Sequence, residues 1–103
     1  MSVLVEFAMF PTDKGESMSA HVSKVIEAIR ESGVNYQLTP MGTIFETEAM
    51  PEALALIQQC HDVLAPNSNR IYSTVKFDIR KGKSDRMKKK IASIEGHIGE
   101  VNK

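Results

Sequence analysis

Residues 36–46 read YQLTPMGTIFE, and this stretch decides the fold. A Pro and a Gly two residues apart, Pro40-Met41-Gly42, interrupt two β-prone runs. That pattern marks a hairpin rather than one long strand. Val34–Thr39 and Gly42–Thr47 are therefore read as its two strands. The turn also gathers hydroxyls (Thr39, Thr43) and a carboxylate (Glu46), groups able to read a small polar ligand.

Upstream, Ser17–Ser32 carries Met18, Val22, Val25, Ile26 and Ile29 at helical spacing, with Ser17 as the expected N-cap. Gly33 stands where a left-handed C-terminal cap belongs. Before that helix, Ser2–Phe10 alternates as a strand: Val3, Val5, Phe7 and Met9 on one face, Leu4, Glu6, Ala8 and Phe10 on the other. Downstream, Pro51 opens a second helix to Leu64, whose stripe is read as Leu54, Ile57, His61 and Leu64. Arg70–Arg80 alternates again. Ser84 or Asp85 is the expected cap of a last helix carrying Met87, Ile91 and Ile94, and Gly96 and Gly99 weaken its continuation toward the C-terminus.

The order β-α-β-β-α-β plus one helix predicts an α+β, ferredoxin-like antiparallel sheet with an additional C-terminal helix, a single domain over residues 1–103. Strands one and three should lie in the middle, with both main helices on one face. The opposite face, with Leu4, Glu6, Ala8, Phe10, Tyr72, Thr74 and Phe45 as its candidates, then has no helix to cover it. Such a mixed face predicts a second subunit, hence a homodimer or homotetramer.

Thirteen basic and thirteen acidic residues cancel, so no global charge draws the chain to nucleic acid or an anionic membrane. One cysteine, Cys60, excludes an internal disulfide and fits a reducing cytoplasm; it reads as a small buried hydrophobe. No apolar run approaches the ~20 residues needed to span a bilayer, and the first residues lack a signal-peptide layout.

His21, His61 and His97 fall on three separate helical segments without metal-ligand spacing, and His61 reads as partly buried. No nucleophile elbow, phosphate-cradling glycine loop or zinc spacing is present, so neither a catalytic residue nor a metal site is expected. Residues 80–90 carry seven cations against Asp85 alone. A solvated helix face, an anion site and an RNA surface all fit such a run, but the stacking aromatics of an RNA-recognition sheet are missing. Glu6 sits mid-strand among apolar neighbours, with Lys76 as its ordinary partner; the alternative for both Glu6 and Glu46 is to bind a ligand amino group or cation.

Together, Tyr36 with Pro40-Met41-Gly42-Thr43 and Glu46, the strand from Arg70 to Asp78-Ile79-Arg80 with its basic sequel, and Gly15-Glu16-Ser17 after Pro11 resemble the small thiamine-binding, ferredoxin-like family. The resemblance implies non-enzymatic binding of thiamine or its pyrimidine moiety by a sheet-packed homo-oligomer, with no other cofactor. It points to Thr43 and Glu46, with Ser17 behind them, and Glu6 is a candidate for the thiazolium cation. Thr47 and Phe45 depart from the family's usual residues there, which bears on pocket shape. The competing readings are a structural or regulatory oligomer without a ligand and an RNA-binding module.

Overall fold

Alternation along the first strand sets the architecture. The computed structural model describes residues 1–15 and 18–103, so the expectations placed on Ser17 lie outside the described residues. The elements are β1 (Ser2–Pro11), α1 (Ser19–Glu31), β2 (Asn35–Thr39), β3 (Gly42–Thr47), α2 (Met50–Leu64), a 3-10 turn at Ala65–Asn67, β4 (Ile71–Arg80) and α3 (Arg86–Ile98). They form one antiparallel sheet of order β2-β3-β1-β4. This is the ferredoxin-like βαββαβ arrangement with an added C-terminal helix, and β1 and β3 are central.

Val3, Val5, Phe7 and Met9 are buried against α1 and α2, the even members of β1 facing the other way. Register carries this parity into β3. Phe45 pairs with Val5 and Thr43 with Phe7, so both lie on the helix-covered face. The placement of Phe45 among the open-face candidates is thus corrected: it is fully buried and meets Phe7 edge-to-face at 5.8 Å. Gly42 opens β3 where the chains approach closely; a Cβ there would come within 3.1 Å of the Phe7 carbonyl oxygen. Gly33, at φ +82°, follows α1 in the left-handed conformation expected of it.

The stripe expected on α2 is also corrected. Its buried residues are Ala53, Leu56, Cys60 and Leu64, whereas Leu54 is half exposed and His61 is exposed. α2 is apolar around much of its circumference, so spacing alone allows more than one inward face. The small pair Ala53 and Cys60 lets the helix approach its neighbours, and Cys60 Sγ reaches the Val25 carbonyl of α1 at 4.0 Å. Complete burial matches the reading of Cys60 as a small hydrophobe and raises its thiol to a pKa of about 11.

α3 lies on the face opposite α1 and α2. Its first turn is fastened to Ser2, Glu46 and Asp78, all of which point that way. One end of the face expected to be bare is therefore covered by the chain itself. Neither Ser84 nor Asp85 supplies a side-chain cap for this helix: Asp85 precedes it at φ +52° and makes no such bond.

Candidate functional site

Thr43 and Glu46 are three residues apart on one strand, an odd separation, so their side chains leave opposite faces of the sheet. The structure therefore does not bring them together. Thr43 is 3% exposed and lines a pocket of about 320 Å³ beneath the hairpin turn. Phe7, Met9, Val22, Leu38 and Met41 form much of its apolar wall, and its described lining carries no charged side chain. Thr39 is also in this wall, but its hydroxyl is spent on the turn: it donates to the Gly42 carbonyl at 2.8 Å and accepts from the Gly42 N–H at 3.1 Å. Such a space suits a flat apolar ring.

Glu46 sits at the centre of a different construction. Its Oε2 accepts from the Ser2 hydroxyl at 2.5 Å and the Arg86 N–H at 3.0 Å, and its Oε1 accepts from the Met87 N–H at 3.1 Å. It thus caps α3 from 40 residues away, placing negative charge where the helix dipole favours it. Burial pushes its pKa up, but the Ser2 hydroxyl, the two N–H groups and the Arg86 guanidinium outweigh that, leaving it below the usual carboxylate value.

Arg86 is only 4% exposed and completes the node. Its Nε donates to Ser2 Oγ at 2.9 Å, its Nη2 to the Ser2 and Asp78 carbonyls, and its Nη1 pairs with Asp78 Oδ2 at 3.0 Å. Lys90 reaches the same Asp78 oxygen at 3.1 Å. The basic run read between residues 80 and 90 is thus divided: Arg86 and Lys90 have structural partners. The carboxylate of Glu46 already fills the place at the start of α3 where an anion would sit. Arg86 was only one cation among seven in the sequence, and the Arg-Met-Lys opening of a helix gives no local sign of its buried role.

Glu6 lies on the face away from α1 and α2, largely exposed, with Lys76 Nζ at 3.6 Å, the partner expected from strand adjacency. Phe10 and Tyr72 form a tilted aromatic pair at 5.8 Å on the same face. The three histidines are spread over α1, α2 and α3, His61 beside Asp62 at 3.3 Å. Among the described residues, no helix is long and apolar enough to cross a membrane.

A family model described as thiamine-binding protein matches residues 5–95. A UPF0045 protein of Mycobacterium bovis is 33% identical over 98 residues, covering 95% of this chain and 96% of its own. A UPF0045 protein of Methanothermobacter thermautotrophicus is 31% identical over 83 residues, with 80% and 84% covered. A crystal structure from Methanocaldococcus jannaschii superposes with a TM-score of 0.81 at 29% identity, over 90% of this chain and 95% of that one. A Thermotoga maritima structure, named as a candidate thiamine biosynthesis/salvage protein, gives 0.77 at 19% identity, covering 91% and 99%. At that identity the likeness shows the fold alone.

Proposed function

The chain belongs to the thiamine-binding protein family, and on that premise we propose that it binds thiamine or a related aminopyrimidine without catalysing a reaction. The family match over residues 5–95 supports this most directly. We place the pyrimidine ring in the hairpin pocket, with the Thr43 hydroxyl reading its edge and Met41, Met9 and Leu38 against its face. In this reading Glu46 holds the sheet face and α3 in place rather than touching ligand, and Glu6, on the opposite face of the sheet from Thr43, keeps Lys76 as its partner outside the pocket. Ser17 stays a candidate on the family resemblance alone.

The protein acts in this proposal as a cytoplasmic homodimer or homotetramer of single-domain chains. Support comes from β4, a ten-residue edge strand whose helix side packs on the core at Ile71 and Val75 but is poorly covered toward its end, where Phe77 is 37% exposed and Ile79 51%. α1 and α2 pack over β1, β2 and β3 instead. A long apolar edge left open is an aggregation hazard, which a second copy removes.

A ligand-free structural oligomer is the second reading. It is favoured by one observation: both candidate carboxylates already have partners in the chain, Glu46 at α3 and Glu6 at Lys76. Calorimetry with thiamine and hydroxymethylpyrimidine separates the two. We expect saturable heat for wild type and Glu46→Gln alike, and roughly tenfold weaker binding for Thr43→Val, the loss of about one hydrogen bond. No heat at millimolar ligand would leave the structural reading standing.

A further inference from the structure

On α3, Met87, Lys88, Ile91, Ala92 and Glu95 recur at the spacing of one helix face, and that face looks across at β2. The groove between them has a volume of about 620 Å³, inside the range of roughly 300–1,000 Å³ typical of small-molecule sites. Met87, Ile91 and Ala92 give it an apolar wall, while Asn35 and Gln37, whose side chains leave β2 on the same face as Glu46, contribute amides able to donate and accept.

Its charges are arranged along its length. Arg86 and Lys90 are both committed to Asp78, whereas Lys88 lines the groove. Glu95 lines it too, seven residues further along the helix, which is about 10 Å by helical rise. Glu95 Oε2 accepts from the Val101 N–H at 3.1 Å and from Lys103 Nζ at 2.9 Å, so the segment after α3 folds back onto the groove wall. The Lys103 ammonium, followed by the Val101 N–H, holds the Glu95 carboxyl below its usual range. The groove therefore offers an ammonium, a flat apolar middle and a carboxylate that an amino group of the chain itself now occupies.

We propose that this groove is a second binding site, for a planar amino-substituted heteroaromatic that carries a phosphate. Lys88 pairs with the phosphate, Met87 and Ile91 cover the ring, and Glu95 accepts from the amino group. Lys103 is the intramolecular stand-in for that amino group and gives way when the ligand enters. The site goes beyond the function proposed above and does not rest on it; it shares only Leu38 with the hairpin pocket.

The test is an NMR titration of the ¹⁵N-labelled chain with adenosine monophosphate, thiamine monophosphate, thiamine and inorganic phosphate. Both esters are expected to shift the amides of 35–38 and 87–95 saturably. Lys88→Glu should weaken them at least tenfold, Glu95→Gln should weaken them severalfold, and Lys103→Ala should tighten them severalfold. Equal shifts from inorganic phosphate alone would reduce Lys88 to a surface cation and overturn the proposal. So would ester-induced shifts that leave the groove untouched. Thiamine shifting only the hairpin pocket, with no ester in the groove, refutes the second site and keeps the proposed function. Esters in the groove with thiamine binding nowhere does the reverse.

Discussion

Removing the Glu46 carboxylate should loosen α3 from the sheet. Two of the helix's first N–H groups and the Ser2 hydroxyl donate to it, and the Arg86 guanidinium lies alongside. A side-chain cap contributes about 1 kcal/mol and up to about 2, and a hydrogen bond such as that from Ser2 about 1 kcal/mol. Glu46 is partly exposed, so water replaces some of what is lost. Glu46→Ala should therefore cost about 2–3 kcal/mol, a fall in Tm of roughly 10–20 °C for a chain of this size. Glu46→Gln keeps one acceptor oxygen and should cost about 1 kcal/mol.

The pH dependence follows from the lowered pKa. A carboxylate with a depressed folded value contributes stability that is complete above its unfolded pKa, about 4.3, and is lost as pH falls through the folded value. The gap between wild type and Glu46→Gln should be widest near neutral pH and should close as pH falls through the lowered folded value. Urea unfolding followed by circular dichroism at several pH values measures both effects. A Glu46→Ala protein within about 0.5 kcal/mol of wild type at pH 7 would refute the capping argument.

Other consequences are open to simple measurement. Phe45→Ala removes a fully buried ring packed on Phe7 and should cost about 3–5 kcal/mol in urea; a loss under about 1 kcal/mol would mean the core is not built around it. Cys60, with its thiol raised to about 11, should react with Ellman's reagent only as fast as the chain unfolds, so rapid labelling of folded protein would contradict its burial. Phe77→Glu, at the exposed edge strand, should shift light scattering toward monomer while leaving the far-ultraviolet spectrum intact; an unchanged mass would place the subunit contact elsewhere.

Element order was legible in the sequence because it depends on local chemistry. Period-two alternation in Ser2–Phe10, the Pro and Gly inside YQLTPMGTIFE, and Gly33 after an amphipathic run each act within a few residues. Cys60 was legible as a small hydrophobe. The facing of α2 was not, because Leu54 and Leu56 satisfy helical spacing equally well, and only the fit against α1 and β1 selects Leu56.

Within the hairpin the division is sharpest. Its own residues determined two strands and a tight turn, and the element order of the whole chain determined a central place for the second strand. The roles of its polar groups came from partners far away in the chain. Register against β1 put Phe45 and Thr43 on the helix-covered side, and strand parity then sent Glu46 to the other. There it met Ser2 from 44 residues upstream and the start of α3 from 40 residues downstream. Hydrogen bonds across such separations have no local signature, since the groups that satisfy a half-buried carboxylate are chosen by topology. The carboxylate read beside the turn as a candidate ligand group caps, in the folded chain, the start of α3.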